Sequence, residues 1–302
     1  MPPESFTIIE APSTLGLWPS GVEHLPEALI SAGLPERLGA RRGGRVEPPP
    51  YDAERDGGTL MLNPHGLARY AAALADAVGA TLDEGAFPVV LGGDCSILLG
   101  NLLALKRRGR YGLLFLDGHA DFYQPEAEPK GEAASMELAL ATGRGPAVVA
   151  DLEGRGPLVH DEDVIVYGRR DGEQADEHGS QRIEDTGIHV IDVTEVTTTG
   201  AGTTIVRALD RLSRTATDGF WIHLDADVLD DDIMPAVDYR MPGGLSWEEL
   251  TTVLRTSIAT GRAAGIDITI FNPRLDPDGT IAARFAQAIA EGMVGSSARK
   301  RT

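Results

Sequence analysis

Short apolar runs rich in β-branched residues alternate along the chain with longer stretches of helical periodicity. The runs predict strands at Phe6–Ala11, Phe87–Leu91, Gly112–Asp117, Val164–Tyr167, His189–Val193, Phe220–Asp225 and Gly265–Ile270. Several are continuously apolar, as in Pro88-Val89-Val90-Leu91 and Leu113-Leu114-Phe115-Leu116, which is the pattern of a strand covered on both faces. Helical patterns lie between them. Leu67–Leu82 carries Leu, Ala and Val at helical spacing. Ser96–Arg107 opens on a good N-cap and closes on Lys106-Arg107-Arg108-Gly109. Ser246-Trp247-Glu248-Glu249, at the head of Ser246–Thr260, has the form of a capping box, and Thr280–Val294 is the last helix. The alternation predicts an α/β protein, a parallel sheet with helices on both faces. Neither repeat nor linker interrupts it, so residues 1–302 read as a single domain, with 296–302 as a flexible tail. Arg41–Asp56 reads as a surface loop. Gln124–Ala134, rich in Pro and Glu, reads as a loop beside a site, and Ala150–Asp163 and Asp171–Ser180 as polar connections.

Composition narrows the function. A net charge of −19 argues against nucleic-acid binding and against an anionic membrane surface, both of which need a basic footprint. Acidity suits a cationic ligand or a metal, although it also serves plain solubility. One cysteine, Cys95, rules out an internal disulfide and suits a reducing, cytoplasmic location. The first ten residues lack the pattern of a signal peptide, and no apolar run is long enough to span a bilayer.

Two motifs carry chemistry. In Asp117-Gly118-His119-Ala120-Asp121, at the end of an apolar run, an extended backbone would turn residues 117, 119 and 121 to one side. In Trp221-Ile222-His223-Leu224-Asp225-Ala226-Asp227, followed by Asp230-Asp231-Asp232, Asp225 and Asp227 would share a face for the same reason. Carboxylates gathered that closely need a cation among them, and a divalent metal is the simplest one. Acidic residues at strand ends often merely cap the next turn, but two clusters of the same layout favour a site. Both would sit at the carboxyl ends of strands, where open α/β sheets bind ligands. Gly92-Gly93-Asp94-Cys95-Ser96 is a strand-to-helix turn whose glycines permit close approach of a ligand.

These three motifs, in this order, resemble those of the ureohydrolase (arginase, agmatinase, formiminoglutamase) family: Gly-Gly-Asp-His-Ser, Asp-x-His-x-Asp and Asp-x-Asp-x-x-Asp-Pro. Pro19–Leu34, Gly168-Arg169-Arg170-Asp171, Gly243-Gly244-Leu245-Ser246 and Asp267-Ile268 with Asn272-Pro273 extend the resemblance over nearly the whole chain. It implies a three-layer αβα sandwich around a mostly parallel sheet of about eight strands. It also implies a binuclear Mn²⁺ centre and C–N hydrolysis of a linear guanidino or amidino compound, by attack of a metal-bridging hydroxide. Asp117 and Asp225 would bridge the two ions. Asp121 would join the first, with Cys95 where the family has His, and His119 and Asp227 would complete the second. Asp121 would also orient the nucleophile. Glu249 would pair with the guanidinium, unless it only stabilises its helix, and Glu173 falls near a contact to a substrate amino group. The family forms trimers or hexamers.

The chain also departs from that pattern. A thiol at position 95 favours Zn²⁺, Fe or Co over Mn²⁺, or a single ion. With Trp-Ile-His-Leu-Asp it resembles a branch acting on N-hydroxy-arginine. Gly131–Glu137 lacks the family's proton-shuttle His. His24, His65, His160 and His178 are spare, and Glu132 or Glu137 would substitute as an acid. Ile270 stands where many members have Glu, and Asp231 where they have Pro. An inactive metal-binding member is therefore one alternative. A deacetylase-like zinc amidohydrolase is a weaker one, because no adjacent His pair is present.

Overall fold

A computed structural model describes residues 3–177, 179–214 and 218–295; His178 and the expected tail at 296–302 lie outside them. The seven predicted strands are present as β1 (Phe6–Ala11), β3 (Phe87–Gly92), β4 (Gly112–Leu116), β5 (Val164–Arg169), β6 (His189–Asp192), β7 (Phe220–Asp225) and β8 (Ala263–Thr269). An eighth, β2 (Arg41–Arg45), falls where the sequence reads as a surface loop. It has no apolar residue to betray it. β2 is an exposed edge strand beside β1, held by Arg42 and Arg45 pairing with the buried Glu10. Gly43 is required there, since a Cβ would lie 2.6 Å from Thr7 Cγ2.

All pairings are parallel, in the order β2-β1-β3-β8-β7-β4-β5-β6. The continuous apolar runs feed two cores, one on each face. Leu113 and Phe115 of β4 enter one layer, Leu114 and Leu116 the other. The first layer holds the helices Pro64–Asp83, Leu98–Lys106 and Glu137–Ala141. The second holds Leu25–Ser31, Ala201–Arg214, Trp247–Ala259 and Thr280–Val294. The result is the expected αβα sandwich. Ser246 begins its helix with a complete capping box to Glu249. The stretch before β7, for which the sequence pattern gives no element, folds as Val193–Thr199 and Ala201–Arg214. The second buries Ile205, Ala208, Leu209 and Leu212 on one side. Asp171–Ser180 likewise contains a short helix, Gly172–Glu177.

The consequence for chemistry lies in the strand order. β7 and β8, late in sequence, insert between β3 and β4. The carboxyl ends of β3, β8, β7 and β4 are thus neighbours, and the three sequence motifs meet at a topological switch point.

Candidate metal centre and active site

The turn after β3 is tight for a reason internal to the protein. A Cβ on Gly93 would sit 1.9 Å from the Ser13 carbonyl oxygen, so the glycine admits the chain's own backbone rather than a ligand. Asp94 is structural there. Its carboxylate accepts the Ser96 N–H at 2.8 Å and the Gly16 N–H at 3.2 Å. The turn delivers Cys95 to the sheet's centre, fully buried. Its thiol donates to Asp225 Oδ2 at 2.8 Å and lies 3.2 Å from Thr269 Oγ1.

The extended-backbone expectation for residues 117–121 fails. β4 stops at Leu116, and Asp121 adopts a left-handed φ of 44°. Loop geometry rather than strand alternation gathers the side chains. Asp117 Oδ1 accepts the His119 N–H at 2.6 Å, and His119 Nδ1 reaches Asp227 Oδ2 at 2.9 Å. Asp225 and Asp227 do not share a strand face either. Asp227 lies in a single 3₁₀ turn, Ala226–Val228, whose first N–H groups include one accepted by Asp225 Oδ1 at 2.7 Å. Arg170 Nη2 donates to the Asp227, Leu229 and Met241 carbonyls, fixing this turn from outside.

Two groups of potential ligands result. Asp117, His119 and Asp227 form one; Cys95, Asp117, Glu137 and His223 form the other. Within each, donor atoms lie within 4.8 Å of one another. Asp117 belongs to both. Asp225 belongs to neither, and Asp121 faces Glu137 beside them. Sequence reasoning assigned no ligand role to His223 or Glu137. His223 had a legible signal: it stands two residues before Asp225 on β7 and so shares its side of the sheet. Glu137, at the head of a five-residue helix, had none.

The electrostatics call for a cation. Burial, reinforced by neighbouring carboxylates, pushes Asp117, Asp121, Glu137 and Asp225 well above the usual carboxylate range, and burial also raises the Cys95 thiol. Asp227 is the exception. Burial raises it, but the His119 imidazole outweighs that and holds it low. Burial opposes protonation of His119, and Asp227 and Asp117 override it upward. Asp117 Oδ2, both Glu137 oxygens and His223 Nε2 are buried with no hydrogen-bond partner. A divalent metal would satisfy all of these atoms, so the residues fit one.

A cleft of about 830 Å³, its open mouth included, rises above this floor. Asp121, Asp225, Asp227 and His119 form its base, and Glu128, Lys130, Glu132, Tyr239 and Ile270 its walls. The 124–134 segment does border the site. Arg55 pins it through the Pro125 and Glu128 carbonyls, each at 2.9 Å. Lys130 caps the Trp18 and Tyr239 rings, and Tyr239 donates to Glu132 Oε2 at 3.0 Å. Of the two acids proposed as shuttle substitutes, Glu132 faces the cleft and burial raises it, whereas Glu137 lies beneath the floor. Ile270, a β-branched residue at φ 69°, is a strained position on the cleft wall.

Two expected substrate contacts are not brought in. Glu249 Oε2 accepts from Ser246 N and Oγ, both at 2.8 Å, and caps its helix outside the cleft lining. Glu173 is exposed, and Gln174, its neighbour, lines the cleft instead. Among the described residues, His24, His65 and His160 do not line it.

The arginase-family model matches residues 4–295. An arginase of Bacillus subtilis is 31% identical over 278 residues, covering 90% of this chain and 92% of that protein. The crystal structure of the Bacillus caldovelox arginase superposes with a TM-score of 0.84 at 27% identity, covering 98% and 99% of the two chains. A Bacillus subtilis formimidoylglutamase, at 18% identity and a TM-score of 0.74 over 95% and 84% of the two chains, shares the fold. The chain belongs to the arginase family, the hydrolases of carbon–nitrogen bonds in linear amidines.

Proposed function

We propose that this protein hydrolyses a linear guanidino compound, releasing urea or a close relative, at the floor of the acid-lined cleft. The observation that carries the reading is the pair of ligand groups meeting at Asp117 beneath an open cleft walled by acidic side chains. In this reading Asp117, His119 and Asp227 hold one divalent ion, and Cys95, with Asp117, takes part in holding a second; Mn²⁺ is the family expectation. Such ions supply the Lewis acidity that makes water nucleophilic near neutral pH.

The chain's own residues do the rest. The carboxylates of Asp121 and Asp225 lie at the base, where Asp121 is placed to accept a proton and orient the nucleophile. Glu128 and Glu132 give the walls the charge that attracts a guanidinium or amino group. Lys130, at the rim, suits a carboxylate at the far end of the substrate. Glu132 is the wall acid placed to pass a proton to the leaving amine, in the absence of the family's shuttle His. A cytoplasmic homo-oligomer, trimer or hexamer, accompanies this reading.

An inactive binding protein is the less favoured alternative, since a closed structural site would need no open cleft of this size. The test is urea release from arginine, agmatine and guanidinobutyrate, hydroxyurea release from hydroxyarginine and formamide release from formiminoglutamate, after loading with Mn²⁺, Co²⁺ or Zn²⁺. Turnover of one guanidino substrate supports the proposal. No turnover with any pairing rejects it.

A further inference from the structure

We propose that one metal position of this chain is a mixed sulfur–nitrogen–oxygen site built by Cys95, Asp117, Glu137 and His223. The inference rests on the reading that the cleft floor binds divalent metal, and it says which residues hold one of the ions. All four side chains are fully buried, and each presents a donor atom within 4.8 Å of the other three.

The atoms lacking partners mark the place. Asp225 Oδ1 accepts the Asp227 N–H, and its Oδ2 lies 2.8 Å from Cys95 Sγ, a bond whose proton leaves when the thiol becomes a thiolate ligand. Asp117 Oδ1 faces His119, while its Oδ2 has no hydrogen-bond partner and points toward His223 Nε2 at 4.0 Å. One carboxylate therefore serves two positions through different oxygens. Both Glu137 oxygens are buried without a hydrogen-bond donor of normal geometry, and the Asp121 carboxylate faces them. A carboxylate left so in a protein interior is costly without a cation.

His223 is prepared as a ligand. Its Nδ1 lies 2.6 Å from Asp267 Oδ2, and the other Asp267 oxygen is held by the Trp221 indole N–H. Phe115 stacks on the imidazole with ring centroids 4.6 Å apart. A carboxylate behind Nδ1 fixes the tautomer that leaves the Nε2 lone pair free, which is the usual arrangement around a metal-binding histidine. Without a metal, that lone pair would be buried with nothing to accept from.

One thiolate, one imidazole and two carboxylates make a four-donor set suited to Zn²⁺, Co²⁺ or Fe²⁺ more than to Mn²⁺. The neighbouring position, with Asp117, His119 and Asp227, has harder donors and suits Mn²⁺. The two positions are thus chemically unlike.

The experiment is titration of the metal-stripped protein with Co²⁺, read by bound cobalt per chain and by absorption. Wild type is expected to bind two ions and to show a thiolate-to-cobalt charge-transfer band with intense visible bands of four-coordinate cobalt. Glu137→Gln and His223→Gln are each expected to bind one ion fewer and to lose the visible intensity. Cys95→Ser loses the charge-transfer band, and Asp227→Asn loses an ion while keeping that band. Two ions and unchanged spectra in both Glu137→Gln and His223→Gln overturn the assignment while leaving a metal protein in place. No cobalt bound by wild type overturns the metal reading and the assignment together. Should the variants fail to fold, X-ray absorption of the zinc-loaded wild type decides. One sulfur at about 2.3 Å supports the site, and a shell without sulfur overturns it.

Discussion

Gly93 has no room for a methyl group, because the Ser13 carbonyl oxygen occupies the space a Cβ would need. The same contact region receives the Asp94 N–H at 2.9 Å, so the β1 loop and the β3 turn are locked together just before Cys95. Gly93→Ala is therefore expected to destabilise by about 3 kcal/mol or more, the upper range for overpacking, with backbone that cannot move aside cheaply. A thermal melt within a few degrees of wild type would contradict it. Single residues also show where sequence reading reaches its limit. Asp117, His119 and Asp227 were legible because their spacing is a pattern. Glu137 was not, because only the folded chain brings the head of its short helix beside Asp117 and His223. Glu249 looked like a substrate ligand from its place in a motif, but its carboxylate is spent on Ser246.

At the scale of elements, that capping box makes a prediction. Glu249→Ala removes one half of it from the helix Trp247–Ala259 and is expected to cost about 0.5–2 kcal/mol in denaturant unfolding. KM for the substrate should stay near the wild-type value. A large rise in KM with unchanged stability would restore the substrate role. The 124–134 segment makes another. Arg55 is the only side chain whose guanidinium bridges the Pro125 and Glu128 carbonyls among the described residues. Arg55→Ala should loosen that wall and raise KM more than it lowers kcat, as steady-state kinetics would show. An equal fall in kcat and kcat/KM would instead implicate the chemical step. Seven strands and the principal long helices were legible because each carries its own apolar pattern. β2 was not, since its five residues are Arg and Gly and its stability comes from Glu10 across the strand pair. The strand order was not legible either, because insertion of β7 and β8 between β3 and β4 is set by packing.

For the whole molecule, the buried carboxylates couple metal binding to stability. In the metal-stripped protein Asp117, Asp121, Glu137 and Asp225 titrate well above their unfolded range. The folded state then binds more protons than the unfolded one from about pH 4 upward, so stability falls as pH rises. The melting temperature of the stripped protein should increase as pH is lowered from about 8 to about 5.5. Saturating Mn²⁺ or Co²⁺ should reverse that trend, because the ion replaces the protons. A stripped protein whose stability rises with pH would mean that these groups are paired by something else. No helix among the described residues is long and apolar enough to cross a membrane.

All of this depends on metal ions neutralising the acids gathered around Asp117. The most direct measurement is metal content per chain after exhaustive dialysis of wild type and Asp117→Asn, both first loaded with divalent metal. The account predicts two ions retained by wild type and weakened retention at both positions in Asp117→Asn, since that one carboxylate serves both. Wild type that retains no metal, or a variant that retains as much as wild type, would contradict it.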